Sequence, residues 1–273
     1  MIIQILGEKT IMVDIKLLQG NCLELMKDIP DKSVDMILCD IPYEVTSQNN
    51  WDKKLPLDQL WLQYSRIAKE TTPIILFAQG RFTAELILSN LQDFKYTLVW
   101  NKVLPSGFLN ANKQPLRTHE DIVVFYKSQC LYNPQKIKGD ACHSRGYGVG
   151  SAGSGTNYNE YNMVETVGDD KFPTSVLTYQ KPHASTALHP TQKPVDLLEY
   201  LIKTYTNEGD IVLDNCMGSG STGVAAVNTN RNFIGMELDE AYFKIASERI
   251  EQAQKFPGTV YKKSKPTDSK KLF

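Results

Sequence analysis

Ile211-Val212-Leu213-Asp214-Asn215-Cys216-Met217-Gly218-Ser219-Gly220-Ser221-Thr222-Gly223 decides the fold. A short apolar run ends on an acid, glycines follow, and a run of small residues continues to Thr229. That order reads as strand, tight turn, helix. The glycines let backbone approach a ligand closely, at the carboxyl end of a strand where open α/β sheets bind ligands.

Outward from this unit, short apolar runs alternate with amphipathic stretches. Strands are expected at 15–19, 34–39, 74–78, 96–101, 122–126, 211–214 and 232–237, and helices at 57–69, 81–91, 194–205, 221–229 and 240–254. Most of these strands have no polar face, so both faces are covered by helices. The fold class expected is α/β, with a single open, mostly parallel, seven-stranded sheet. The rhythm breaks between residues 128 and 188, where the stretch from Ser144 to Asn159 is rich in Gly, Ser, Tyr and Asn. It reads either as a surface loop or as a segment that orders on a partner.

The chain has 273 residues, 41% hydrophobic and 22% charged, which suits a globular protein with a sizeable core. Net charge is -1, so overall balance gives no hint of a nucleic-acid partner. Distribution says more: residues 101–150 hold seven Lys/Arg against three Asp/Glu, and residues 255–273 hold six Lys and one Asp. Either segment suits a phosphate-facing surface or a solvated one. The residues beyond 257 read as a basic, flexible tail. The five cysteines show no CxxC pair and the four histidines no ligand spacing, so neither zinc nor a disulfide framework is expected. No apolar run approaches membrane-spanning length, and a cytoplasmic location with no membrane partner is expected.

Gly218, Gly220 and Gly223 satisfy GxGxxG, and Glu237 ends the next strand. A carboxylate there can accept both ribose hydroxyls, which serves a nicotinamide dinucleotide and S-adenosylmethionine alike. A second motif separates the two. Asp40-Ile41-Pro42-Tyr43 follows the strand at 34–39. An exocyclic amino nitrogen on a planar ring is a poor nucleophile because its lone pair is delocalised into the ring. Two acceptors aimed at its hydrogens free that lone pair. Asp40 supplies one, the main-chain carbonyl of Ile41 or Pro42 the other, and Tyr43 a flat face for the base. Pro42 fixes the turn.

Asp40-Ile41-Pro42-Tyr43 resembles the [DNS]-P-P-[YFW] motif of amino-group methyltransferases, with Ile41 in place of the first proline. Asp214 to Thr222 resembles their methionine-donor motif, and His189-Pro-Thr-Gln-Lys193-Pro-Val-Asp-Leu-Leu-Glu resembles the segment that precedes it in beta-class DNA methyltransferases. Gln19-Gly20-Asn21-Cys22-Leu23, Trp100-Asn101-Lys102 and His119-Glu-Asp-Ile-Val-Val-Phe-Tyr-Lys127 are further likenesses. The beta class is circularly permuted: catalytic half first, target-recognition region next, donor half last. This chain has that order.

The resemblance implies a class I, Rossmann-like methyltransferase with a catalytic half at 1–127, a target-recognition insertion at 128–188 and an S-adenosylmethionine-binding half at 189–256. It implies Asp40, Pro42 and Tyr43 as the catalytic set. For the donor it implies Asn21, Cys22, Leu23, Thr191, Lys193, Asp214, Cys216, Gly218, Gly220, Ser221, Thr222 and Glu237. Asn21 stands where the family usually has Asp. The basic residues Lys102, Lys113, Arg117 and Arg145 are expected on DNA. The polar loop at 44–50, ahead of Trp51-Asp52, suits a lid over a flipped base. The expected reaction is direct methyl transfer to an amino group of double-stranded DNA, adenine N6 by the acidic first residue, with cytosine N4 as the alternative. An RNA or protein-amide methyltransferase and a nicotinamide-dependent oxidoreductase are weaker readings. A homodimer and a cognate restriction endonuclease are further implied partners.

Overall fold

The computed structural model describes residues 13–43, 54–144, 149–150, 161–162, 166–182, 188–189 and 192–256. Strands are β1 (Ile15–Gln19), β2 (Met36–Cys39), β3 (Ile74–Ala78), β4 (Phe94–Ser106), β5 (Arg117–Phe125), β6 (Ile137–Ser144), β7 (Val149–Gly150), β8 (Tyr161–Asn162), β9 (Thr166–Lys171), β10 (Val176–Thr178), β11 (Ile211–Asp214) and β12 (Asn232–Glu237). Helices are α1 (Cys22–Leu25), α2 (Leu57–Ile67), α3 (Arg81–Ser89), α4 (Val195–Tyr205), α5 (Ser221–Asn228) and α6 (Glu240–Lys255).

Eight strands form one sheet in the order β1-β12-β11-β2-β3-β5-β4-β10. Five of its seven neighbour pairings are parallel; β5 runs antiparallel between β3 and β4. All seven expected strands are present, and the sheet gains one. The added β10, Val176–Thr178, pairs parallel with β4 at the edge, inside the stretch that reads as irregular in the sequence. It is only three residues long, too short for a period-2 pattern to show.

Alternation along the strands sorts the core into two layers. Met36 and Leu38 of β2 pack with α4, α5 and α6 residues such as Leu201, Val224 and Ile250. Ile37 and Cys39 face the other way, toward Met26, Leu60, Tyr64 and Leu86 of the α1–α3 side. Every residue of β2 and β3 is buried, as a central parallel strand covered on both faces requires.

Chain direction across the sheet reverses between β11 and β2. From β2 the chain moves outward through β3, and from β11 it moves the other way through β12. These two strands pair directly, Val212 with Met36 and Leu213 with Ile37. Such a switch point opens a crevice beyond the carboxyl ends of the strands. Residues 134–174 form a second compact unit, in which β6 pairs antiparallel with β9 and β7 with β8. Among the described residues no helix is long and apolar enough to cross a membrane.

Gly220 sits at the start of α5 with φ +78°, and a Cβ there would lie 2.9 Å from the Ala246 Cβ and 3.0 Å from its Cα. The left-handed backbone and the contact with α6 both demand glycine. Gly220→Ala is expected to lower unfolding free energy by about 1–3 kcal/mol, read from urea denaturation; an unchanged midpoint would show that α6 can yield.

Candidate active site

A cleft of about 480 Å³ opens beyond the strand ends, a volume in the range of about 300–1,000 Å³ common to small-ligand sites. Asn21 reaches it from the end of β1, Asp40 from β2, Gln79 from β3, Asp214 from β11 and Glu237 from β12. Antiparallel β5 brings its amino-terminal end to the same edge, and with it Glu120.

On the donor side, Glu237 accepts hydrogen bonds from the main-chain N–H of Gly218 at 2.8 Å and of Asp239 at 2.9 Å. Its carboxylate is thereby oriented, with lone pairs to spare for hydroxyls. Burial pushes the carboxyl above its ordinary range. Asp214 is 3% exposed. Burial raises it to about 6, against hydrogen bonds from the Thr222 hydroxyl and the Cys216 N–H that favour the charged form. Gly218 adopts φ +52° with the His189 ring 3.6 Å from where its Cβ would be, and His189 packs edge-on to Tyr242. Burial, then the Lys193 charge, lowers His189 to about 4. A carboxylate set for hydroxyls, a buried acid and a narrow backbone turn suit an adenosine-bearing cation.

Cys216, Ser221 and Thr222 line the same wall; Gly220 packs behind it on Ala246. Asn21 caps α1, its Oδ1 accepting from the Leu23 N–H at 2.9 Å, and both Asn21 and Cys22 line the cleft. Leu23, within α1, packs against the core and does not line the cleft. The Cys22 thiol is lowered to about 7, first by its contact with the Cys216 thiol, while burial raises Cys39 to about 12. Thr191 and Arg145 lie outside the described residues, as do the loop at 44–50 and Trp51-Asp52.

On the other side, Tyr43 lies flat against Phe82 of α3, ring centroids 4.5 Å apart and planes 3° from parallel. Asp40 Oδ2 accepts from Lys193 Nζ at 2.5 Å. Lys193 also lies 3.4 Å from Glu120, and Glu120 3.1 Å from Lys102. Four side chains of alternating charge therefore run along the cleft floor. Burial works against the Lys193 charge, yet Asp40 and Glu120 hold it above the usual lysine range. Burial likewise opposes the Glu120 carboxylate, and Lys193 and Lys102 outweigh it and lower the group.

Two placements differ from the sequence expectation. Lys193, expected on the donor, has its ammonium on the Asp40 carboxylate and over the Phe77 ring. Lys102, expected on DNA, is 3% exposed and turned inward to Glu120 and Ser106. A break in the β4–β5 register follows Asn101, and Val103 takes φ +65°. A β-branched residue there costs on the order of 1–3 kcal/mol, and the bulge re-aims the strand toward the site. Glu120, Gln79 and Gln192 were given no role from sequence. Glu120 lies within the stretch His119 to Lys127 already noted as a likeness, but nothing in the sequence pairs it with the two lysines.

Glu120→Gln leaves Lys102 and Lys193 facing each other across a neutral amide. A loss of roughly 2–4 kcal/mol in unfolding free energy is expected, with part of it regained in Glu120→Gln/Lys102→Met. Urea denaturation of the two variants checks this, and equal losses would deny the coupling.

Residues 34–248 match the family model described as DNA methylase. The type II methyltransferase M.HpaI of Haemophilus parainfluenzae is 26% identical over 250 residues, covering 88% of this chain and 75% of that protein. The DNA adenine methyltransferase YhdJ of Escherichia coli (strain K12) is 28% identical over 253 residues, covering 88% and 84%. The crystal structure of the M1.HpyAVI-SAM complex superposes with a TM-score of 0.59 at 25% identity, over 86% of this chain and 99% of that one. With Asp40, Asp214, Glu237 and the glycine turn in the matched span, the chain belongs to the DNA methylase family, and its methyl donor is S-adenosylmethionine.

Proposed function

We propose that the protein methylates N6 of adenine at a specific sequence in double-stranded DNA, after the base is flipped out of the helix. The observation that carries this is the meeting of Asp40 and Asp214 at the ends of two paired strands, in one cleft with Tyr43. The similarity to an adenine methyltransferase and the acidic first residue of Asp40-Ile41-Pro42-Tyr43 favour adenine over cytosine.

When bound, S-adenosylmethionine would supply an electrophilic methyl on a sulfonium; its transfer to the amino nitrogen would leave the sulfur as a thioether and release one amino proton to solvent. The chain's own work is positioning and polarisation. Asp40 accepts one amino hydrogen, and the main-chain carbonyl of Ile41 or Pro42 accepts the other. Lys193 uses one of the roughly four acceptor positions of the Asp40 carboxylate and fixes its direction. Tyr43, backed by Phe82, offers the base a flat surface. Glu237 takes the ribose hydroxyls of the donor, Asp214 and Gly218 line it, and Ser221, Thr222 and Thr191 are assigned to its methionine carboxylate. Flipping is needed because a paired and stacked amino group is out of reach.

Residues 128–188, which include the compact unit 134–174, are assigned to target recognition. Lys113, Arg117 and Arg145 are assigned to phosphates. A cytoplasmic enzyme, a homodimer and a partner restriction endonuclease complete the proposal.

Incubation of the protein with labelled S-adenosylmethionine and DNA, followed by nucleoside analysis, tests the reading. Label in 6-methyladenine is expected; label in 4-methylcytosine would replace the base assignment, and none in DNA would overturn it. Asp40→Ala is expected to lower turnover by about a thousandfold or more while donor affinity stays within about twofold; near-normal turnover would remove Asp40 from the chemistry.

The donor is cationic at its sulfonium and its ammonium, so an ionised Asp214 attracts it and a protonated one does not. Because Asp214 titrates at about 6, donor affinity is expected to rise as pH increases through 6 and to level off above it. Calorimetric titration across that range should show the rise in the wild type and a flat response in Asp214→Asn. A flat wild-type curve would reassign the carboxylate.

A further inference from the structure

The hairpin joining β4 to β5 carries a feature that the reaction does not use. Its last ladder pair is Ser106 with Arg117. Beyond it, Gly107 turns the chain in the left-handed region, and a short 3-10 turn, Phe108–Asn110, forms the tip. Phe108 is 77% exposed and Leu109 83%. Leu116 beside them is also exposed, and every residue from 108 to 119 faces solvent. Two adjacent large apolar side chains held out in water cost hydration free energy and do nothing for this chain's core.

The tip is tied to the cleft. Ser106 lines it, and Phe108 follows two residues later, within about 7 Å of chain length. The base of the hairpin is braced by Lys102 to Ser106 at 3.2 Å, Arg117 to Gln79 at 2.8 Å, and Gln79 to the His119 carbonyl at 3.0 Å. From 103 to 119 the hairpin has no acidic residue, and it carries Lys113 and Arg117. The charge suits a polyanion, the apolar tip suits something that is not water, and the position is the rim of the base-binding cleft.

We propose that Phe108 and Leu109 form a wedge that enters the DNA stack beside the target base and stabilises its extruded state. This rests on the reading of the protein as a base-flipping DNA methyltransferase. Unstacking costs a few kcal/mol per step and leaves a gap between neighbouring base pairs. An apolar side chain in that gap recovers contact area that the displaced base has lost. Phosphates flanking the gap are within the sphere of Lys113 and Arg117, which hold the tip in register. The braces at the base of the hairpin lower the ordering entropy lost on insertion.

The test uses the full chain and the double variant Phe108→Ala/Leu109→Ala. Both side chains are exposed, so fold and donor binding are expected to be unchanged. Once sequencing has given the methylated site, two duplexes are compared, one fully paired and one with an abasic position opposite the target. On the paired duplex the variant is expected to lose roughly tenfold or more in kcat/KM, and on the unpaired one less than about threefold, because extrusion there needs no wedge. 2-Aminopurine at the target position should brighten on binding wild-type protein and much less on binding the variant. Equal losses on both duplexes, or none, would overturn the wedge. So would a shift from dimer to monomer in sedimentation, which would make the tip a contact between two copies of the chain. Absence of methyl transfer to either duplex by the wild type would instead overturn the functional reading itself, and the wedge with it.

Discussion

The parallel pairing of β2 with β11 is the constraint on which the site depends. Those strands come from opposite ends of the chain, yet Val212 meets Met36 and Leu213 meets Ile37. Parallel pairing puts both carboxyl ends on one edge, so the acids that close the two apolar runs emerge side by side. An antiparallel pairing would have sent Asp40 and Asp214 to opposite edges. The reversal of chain direction at this pair then keeps the helices that follow from roofing the crevice. Catalytic motif first and donor motif last is therefore no obstacle to a shared cleft, since the sheet is indifferent to which half the chain lays down first.

Placing charges at the floor of that cleft carries a desolvation penalty, and the fold meets it by alternation. Asp40, Lys193, Glu120 and Lys102 form a sequence of opposite signs contributed by β2, the segment before α4, β5 and β4. Each charge has a neighbour of the other sign, so no group is left uncompensated in a low-dielectric setting. Lys102 and Glu120 meet across the β4–β5 pairing, just ahead of the strained Val103. Asp214 lies at the same edge, where burial raises it to about 6 against hydrogen bonds from Thr222 and Cys216.

The central architecture was legible because it is written in local patterns. Strand 36–39 is an uninterrupted apolar run followed by Asp40, strand 211–214 one that ends on Asp214, and the helices at 57–67 and 240–255 show one-sided periodicity. Glycine at 220 announced a turn that only glycine tolerates. What stayed hidden depends on tertiary placement. Nothing in a linear reading brings Lys193 to Asp40 or gathers the thiols of Cys22, Cys39 and Cys216, which come from three separate strand ends. Lys102 reads as a cation available to phosphate because it lies in a basic stretch; its burial against Glu120 is a property of the strand pairing. Val176–Thr178 escaped because three residues at a sheet edge carry too little pattern.

The GxGxxG turn shows why the second motif had to decide the reading. Gly218 and Gly220 take positive φ, and Glu237 reaches back to the Gly218 N–H, an arrangement that would hold a dinucleotide as readily as a methyl donor. A dinucleotide needs room for a second nucleotide along the crevice. Here the cleft wall opposite the glycine turn carries Asp40, its lysine partner and Tyr43, which Phe82 backs. A carboxylate held rigid beside a flat aromatic surface is of little use to a hydride carrier, but it is what a weakly nucleophilic amine requires. The donor half of the cleft is generic, and the specificity of the chemistry resides in what the β2 end sets opposite it.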